Sequence, residues 1–364
     1  MRLLRSMQKY KRELIVCTTI VVSGIFLAKD PVLGLYGVVK LIEFIFLGWY
    51  IGVRFPKIKL WKIAGSACAI GMVFESILAF LQYEMQASIN GWLYFFGERF
   101  FTSATPGIAH ASLNGHLLLR PYGTLPHPNV LAGYMLVGIL VLLGTFPYYK
   151  HHIIRLFFGT AIILGAVTVL FTFSRVAIVL LTCLCLAGLL HLSRKKKKSW
   201  VTFFFVVSCI AVFLFSWIFV ENRFSALTLQ DETITDRVQG IRTALFLLQK
   251  NVFFGSGIQN YIPAAAILST YAVSLYGSLQ PVHNMYLLIV SELGVMGAGI
   301  VAFFVYRLLH RLLKAPRRQR NILFAMILVI GVIGMFDHYF WTLQSGRMLL
   351  ALVLGITYAS SRSV

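Results

Sequence analysis

Apolar runs long enough to cross a bilayer recur along this chain, and that repetition constrains the fold more than any single motif. A helix needs about 20 apolar residues to span the hydrocarbon core. Such runs fall near residues 13–29, 31–53, 62–82, 129–148, 154–172, 176–192, 200–220, 284–306, 321–336 and 347–360. With 59% hydrophobic and only 12% charged residues over 364 positions, the chain has too few polar groups to clothe a water-soluble globule. The expected architecture is an all-α polytopic membrane protein with ten transmembrane helices at those positions. No internal repeat and no soluble domain stands out, so residues 1–364 are expected to form a single membrane domain.

Orientation follows from the basic residues, because Lys and Arg collect on the cytoplasmic side of short loops. An inside N-terminus places Arg2, Arg5, Lys9, Lys11 and Arg12 there, then Arg54, Lys57, Lys59 and Lys62, then Lys150 and Arg155, then Arg194 to Lys198. Arg307, Arg311, Lys314, Arg317, Arg318, Arg320 and Arg362 complete the set, which holds most of the 33 basic residues. Both termini are therefore expected on the cytoplasmic side. Topology accounts for most of the net charge of +21, so nucleic-acid binding is not needed to explain it. RKKKK at 194–198 reads as a topology signal that also touches anionic lipid. The basic N-terminal stretch resembles a signal peptide but lacks a small-x-small cleavage site, so it is expected to remain as a first helix. Five cysteines, Cys17, Cys68, Cys183, Cys185 and Cys209, lie inside expected spans, which argues against a disulfide framework and a metal knuckle.

Two outer segments, residues 83–128 and 221–283, are too long to be simple connections and are expected to cover an active site. The first contains NGWLYFFGERFF, whose aromatics suit a membrane interface. The second contains TDRVQGIRTALFLLQKN, with Val238, Ile241, Ala244, Leu245 and Leu248 at helical spacing and Thr235 or Asp236 as N-cap. Such a helix is expected to lie on the membrane surface, apolar face down, until FGSGIQN breaks it.

The outer face is sparing with charge, which makes its polar residues informative. Arg175, in FTFSRVAI, sits between two apolar runs with almost no loop. It either snorkels to lipid headgroups or binds a lipid-borne diphosphate, whose oxygens match the forked guanidinium donors. Arg237 and Arg242 admit the same two readings. Histidine precedes a helix twice, in RPYGTLPHPNVLAGYM (His127, Asn129) and in QPVHNMYLL (His283, Asn284). Asn129 and Asn284 can cap the following spans, and a helix start favours anions. The histidines are either hydrogen-bonded structural groups or, beside a bound diphosphate, proton acceptors for an attacking hydroxyl. His110, His116, His127, His283 and His338 all lie outside, with Asp337 beside the last, yet none shows a ligand spacing such as H-x-x-x-H, and no metal or other cofactor is expected. Glu43, Glu75 and Glu292, with Lys40, form the case for the alternative, a proton-coupled transporter or flippase. Lys40 and Glu43, three apart, can neutralise each other.

Taken together, RPYGTLPHPNVLAGYM, FSR at 173–175, DRVQGIRTALFLLQKNVFFGSGIQNY and VHNMYLLIVSELGVMG resemble the bacterial O-antigen ligase/polymerase family in their order over roughly residues 120–300. These are integral membrane glycosyltransferases of the GT-C type. The resemblance implies transfer of a glycan from undecaprenyl diphosphate to a lipid or glycan acceptor hydroxyl on the extracytoplasmic face, as ligase or polymerase. It implies membrane lipids and a polysaccharide assembly complex as partners. It implies Arg175 and Arg237 as diphosphate ligands and the His283–Asn284 pair at the acceptor, with His283 as the base or the group that positions the acceptor. Ile241 stands where the family usually shows Trp. DHYFWTLQSGR, 337–347, at the last outer hairpin, is expected to line the same cavity. Arginines stabilising the leaving diphosphate and an imidazole activating the nucleophile would make the reaction metal-independent, and attack opposite the leaving group would invert the anomeric carbon.

Overall fold

The computed structural model describes residues 24–26, 28–113, 116–193, 206–207, 209–210, 232–271 and 280–361. Their helices are α1 (Pro31–Arg54), α2 (Lys57–Met85), α3 (Pro128–Thr145), α4 (His152–Phe171), α5 (Arg175–Ser193), α6 (Glu232–Lys250), α7 (Tyr261–Tyr271), α8 (Met285–Leu312), α9 (Arg317–Phe336), α10 (Tyr339–Thr342) and α11 (Gln344–Ser361). Among the described residues six helices are long and apolar enough to cross a membrane: α1, α2, α3 with the turn that follows it, α4, α8 and α9. The apolar stretch of α5 is shorter, Arg175–Leu190. The spans expected at 13–29 and 200–220 lie almost wholly outside the described residues. The helical expectation needs one addition. Strands β1 (His110–Leu113) and β2 (His116–Leu119) pair antiparallel, His110 opposite Leu119 and Leu113 opposite His116. They flank Asn114-Gly115, a dipeptide that favours two-residue hairpins.

The chain divides into two compact units. The unit comprising 51–228, 315–333 and 359–364 is built on α2, α3 and α4, with α3 at its centre. Close approach comes from small residues: a Cβ at Gly144 would lie 2.2 Å from the Trp61 ring, and one at Gly138 would lie 2.6 Å from Met72 Sδ. In a bilayer, where lipid is as apolar as leucine, such van der Waals fit and buried hydroxyls hold helices together. Thr145 Oγ1 donates to Trp61 O (2.9 Å) and Thr168 Oγ1 to Ser76 Oγ (2.8 Å). Polar groups from α2 tie down the outer segment 83–128. Gln82 Oε1 accepts from Tyr122 N (3.0 Å) and Gly123 N (2.8 Å), while its Nε2 donates to Glu98. Glu98 in turn accepts the backbone N–H groups of Ile89 and Asn90, each at 2.8 Å. Trp92, Tyr94, Phe95 and Phe96 are left exposed, the aromatic rim the sequence anticipates.

The other unit comprises 1–50, 229–314 and 334–358. Its core gathers Ala244, Leu247, Ile258, Tyr261, Val282, Leu288, Ile289 and Trp341. Helix α8 breaks at Gly294, whose φ of +64° and extended ψ interrupt the ladder. The loop after α6 fills the break: Gly257 N donates to Glu292 O (2.8 Å), Ser256 N to Ser291 O (2.9 Å) and Val295 N to Val252 O (2.9 Å). A broken membrane helix persists only where other protein groups satisfy its freed backbone.

Candidate functional site

Helix α6 begins at Glu232, three residues before the N-cap expected from sequence, so Thr235 and Asp236 lie inside it. Its packed face runs through Arg237, Gly240, Ala244 and Leu247, at helical spacing. Val238, Ile241 and Leu245 are exposed on another face, the surface such a helix would offer to lipid. Arg237 is therefore half-buried, whereas Arg242 is exposed. Gly240 lies against Val282, where an added Cβ would stand 3.6 Å from the Val282 Cα, and Tyr261 Oη donates to Gly240 O (3.0 Å). Arg237 thus occupies the turn of α6 that abuts the His283 segment.

Asn284 caps α8, its Oδ1 accepting from Leu287 N (2.9 Å). Its Nδ2 donates to Met335 O (3.0 Å), which ties the start of α8 to the end of α9. That tether brings Asp337 and His338 to His283, with the two imidazole centroids 5.3 Å apart. One ligand atom from each of His283, Asp337 and His338 lies within 4.8 Å of the others. Sequence spacing hides this cluster because its members are 54 and 55 residues apart. Burial lowers the His283 pKa below 6.5, Asp337 and Asp236 oppose the shift, and the Arg237 charge adds to it. The His338 imidazole is pushed down to about 4, again chiefly by burial. Both rings are accordingly neutral at pH 7 and each keeps a lone pair.

The unit built on α2–α4 holds the other named residues. His127, rather than Asn129, caps α3: its Nδ1 accepts from Asn129 N at 3.1 Å. The asparagine side chain is engaged elsewhere, because its Oδ1 accepts from Arg120 Nη2 (2.7 Å). Arg120, which the sequence reading passed over, is buried, and its Nε donates to Thr172 O (2.7 Å). It joins the start of α3 to the turn before α5, where Phe173 takes a left-handed φ of +51° and Arg175 opens the helix. Arg175, Arg120, His127 and Asn129 therefore belong to one neighbourhood, while Arg237, Arg242, His283 and Asn284 belong to the other unit.

The membrane carboxylates are held by the fold. Lys40 Nζ meets Glu43 Oε2 at 2.8 Å, as their spacing suggests. Glu75 accepts from the backbone N–H (2.9 Å) and hydroxyl of Thr124. Glu292, fully enclosed, accepts from Trp341 Nε1 (2.8 Å) and from the backbone of Gln259 and Tyr261. Each of the three acids thus has a partner within the fold.

The fold defines a helical, polytopic membrane protein, with His283 and His338 paired where α8 begins and α9 ends. A family model described as O-Antigen ligase matches residues 160–304, which bears out the resemblance to the O-antigen ligase/polymerase family over that segment. The matched segment contains Arg175, Arg237, Arg242, His283 and Asn284 but excludes RPYGTLPHPNVLAGYM, so His127 and Asn129 lie beyond it. No curated protein matches the chain. The family points to glycan transfer in polysaccharide assembly, with lipid-linked glycans as substrates and the bacterial inner membrane as the setting.

Proposed function

We propose that this protein transfers a glycan from a polyprenyl diphosphate, of the undecaprenyl kind, to an acceptor hydroxyl on the extracytoplasmic face. The observation that carries the reading is the placement of Arg237 on the packed face of α6, one turn from the glycine that abuts Val282, beside a neutral His283. A guanidinium there can bind a diphosphate through charge-assisted hydrogen bonds. Arg175, in the other unit, enters the reading only as the diphosphate ligand that the family resemblance implies, and Asn284 holds the imidazole segment in register. The diphosphate leaves with the electrons of its bond to the anomeric carbon, the acceptor oxygen attacks from the opposite side, and His283 takes the hydroxyl proton. The product is an inverted glycoside and a free polyprenyl diphosphate, reached through a GT-C-type mechanism in which no metal takes part.

The test is turnover by purified protein with undecaprenyl-diphosphate oligosaccharide and a panel of hydroxyl acceptors. His283→Ala is expected to keep donor binding and lose transfer by about 100-fold or more, the range for a general base. Normal transfer by that variant removes the imidazole from the reaction.

A further inference from the structure

We infer that His283, Asp337 and His338 form a binding site for a first-row divalent cation of the Zn2+ class. Two imidazoles and one carboxylate are the donor set such ions favour, whereas Mg2+ and Ca2+ seek oxygen. Their ligand atoms lie within 4.8 Å of one another. Donors around tetrahedral zinc stand roughly 3.3 Å apart, so modest side-chain rotations close the triad. Three protein ligands leave one position open.

Hydrogen bonding prepares the ligands. Thr342 Oγ1 lies 2.8 Å from His338 Nδ1 and 3.3 Å from His338 O. With the hydroxyl donating to the carbonyl and accepting from Nδ1–H, the lone pair stands on Nε2, the tautomer that metal-bound histidines acquire from outer partners. Asp337 Oδ1 accepts from His338 N (2.8 Å), which orients the carboxylate. Nδ1 of His283 is buried and has no hydrogen-bond partner among the described residues. A buried polar atom without a partner is costly, and a cation would satisfy it. The Asn284–Met335 bond holds both ligand-bearing segments together whether or not the ion is bound.

A metal on either nitrogen of a neutral imidazole leaves the ring proton on the other. A loaded site therefore has no lone pair on His283 for an acceptor hydroxyl. Zinc inhibits transfer, a consequence that rests on the reading of His283 as base.

The experiment uses full-length protein in detergent, freed of any polyhistidine tag and stripped with chelator, and titrates it with Co2+. One Co2+ per chain with visible d–d bands, displaced by Zn2+, is expected. Asp337→Asn and His338→Gln should each weaken binding by at least tenfold, and Thr342→Val, which keeps every ligand, by about 10- to 100-fold. Should a variant fail to fold, X-ray absorption on zinc-loaded wild type decides: two imidazoles and a carboxylate support the site, and sulfur or fewer than two imidazoles overturns it. Wild type binding no more tightly than Asp337→Asn/His338→Gln also overturns it. Transfer that persists with zinc demonstrably bound leaves the metal site standing and removes His283 as base.

Discussion

Arg237 and Arg242 sit five positions apart on one helix and meet different surroundings, so their replacement should have different consequences. Five residues turn an α-helix by about 140°, which puts one guanidinium on the packed face and the other outside. Arg237→Ala should weaken donor binding by about 10- to 150-fold, the loss of roughly 1.5–3 kcal/mol of charge-assisted hydrogen bonding. Arg242→Ala should change it less than about threefold, as for an exposed charge. Equal effects in a donor-binding assay would show that burial does not separate them. The sequence displayed both arginines and only the family resemblance singled out Arg237; periodicity did not, because α6 carries apolar residues on two faces. Beside lipid an exposed Val238, Ile241 or Leu245 is as comfortable as a buried Leu247, and the usual marker of the interior is lost.

At the scale of elements, the same chemistry explains which parts were legible. Long apolar runs announced α1 to α4, α8 and α9, since span length is fixed by bilayer thickness. The ends were harder, because a cap depends on which of two neighbouring side chains is already engaged. Asn129 outranks histidine as a cap by preference, yet Arg120 holds its oxygen, and His127 takes the position instead. His127→Ala should therefore lower the melting temperature in detergent, at a cost of about 1 kcal/mol, while His127→Asn should restore it together with transfer. A donor-binding role for the imidazole predicts instead that His127→Asn folds well and transfers poorly. The break in α8 was equally hidden, since nothing in the apolar run tells Gly294 from Gly297 and Gly299 as the place where a loop will dock. Gly294→Ala places a Cβ 2.2 Å from Phe253 O and forces alanine to a φ of +64°. The left-handed conformation alone costs roughly 1–2 kcal/mol. This variant should melt earlier and expose residues 252–260 to protease; unchanged cleavage there would mean that the loop does not depend on the break.

At the scale of the whole molecule, the decisive question is which side of the membrane holds His283. The Asn284–Met335 bond makes the path from α8 to α9 an excursion that leaves and returns at one place. Helices α8 and α9 are each long and apolar enough to cross, which would put the link at 313–316 at the opposite face. Arg307, Arg311, Lys314, Arg317, Arg318 and Arg320 lie near that link in sequence, and on the positive-inside rule we propose that it faces the cytoplasm and the imidazoles the outside. In a background with the five native cysteines replaced, cysteine at exposed Leu313 should react with a membrane-impermeant maleimide only after permeabilisation. Cysteine at exposed Gln280 should react in intact cells. The reverse pattern would turn the arginines and His283 to the cytoplasm, away from a donor presented at the outer leaflet, and the transfer reading would fall with it.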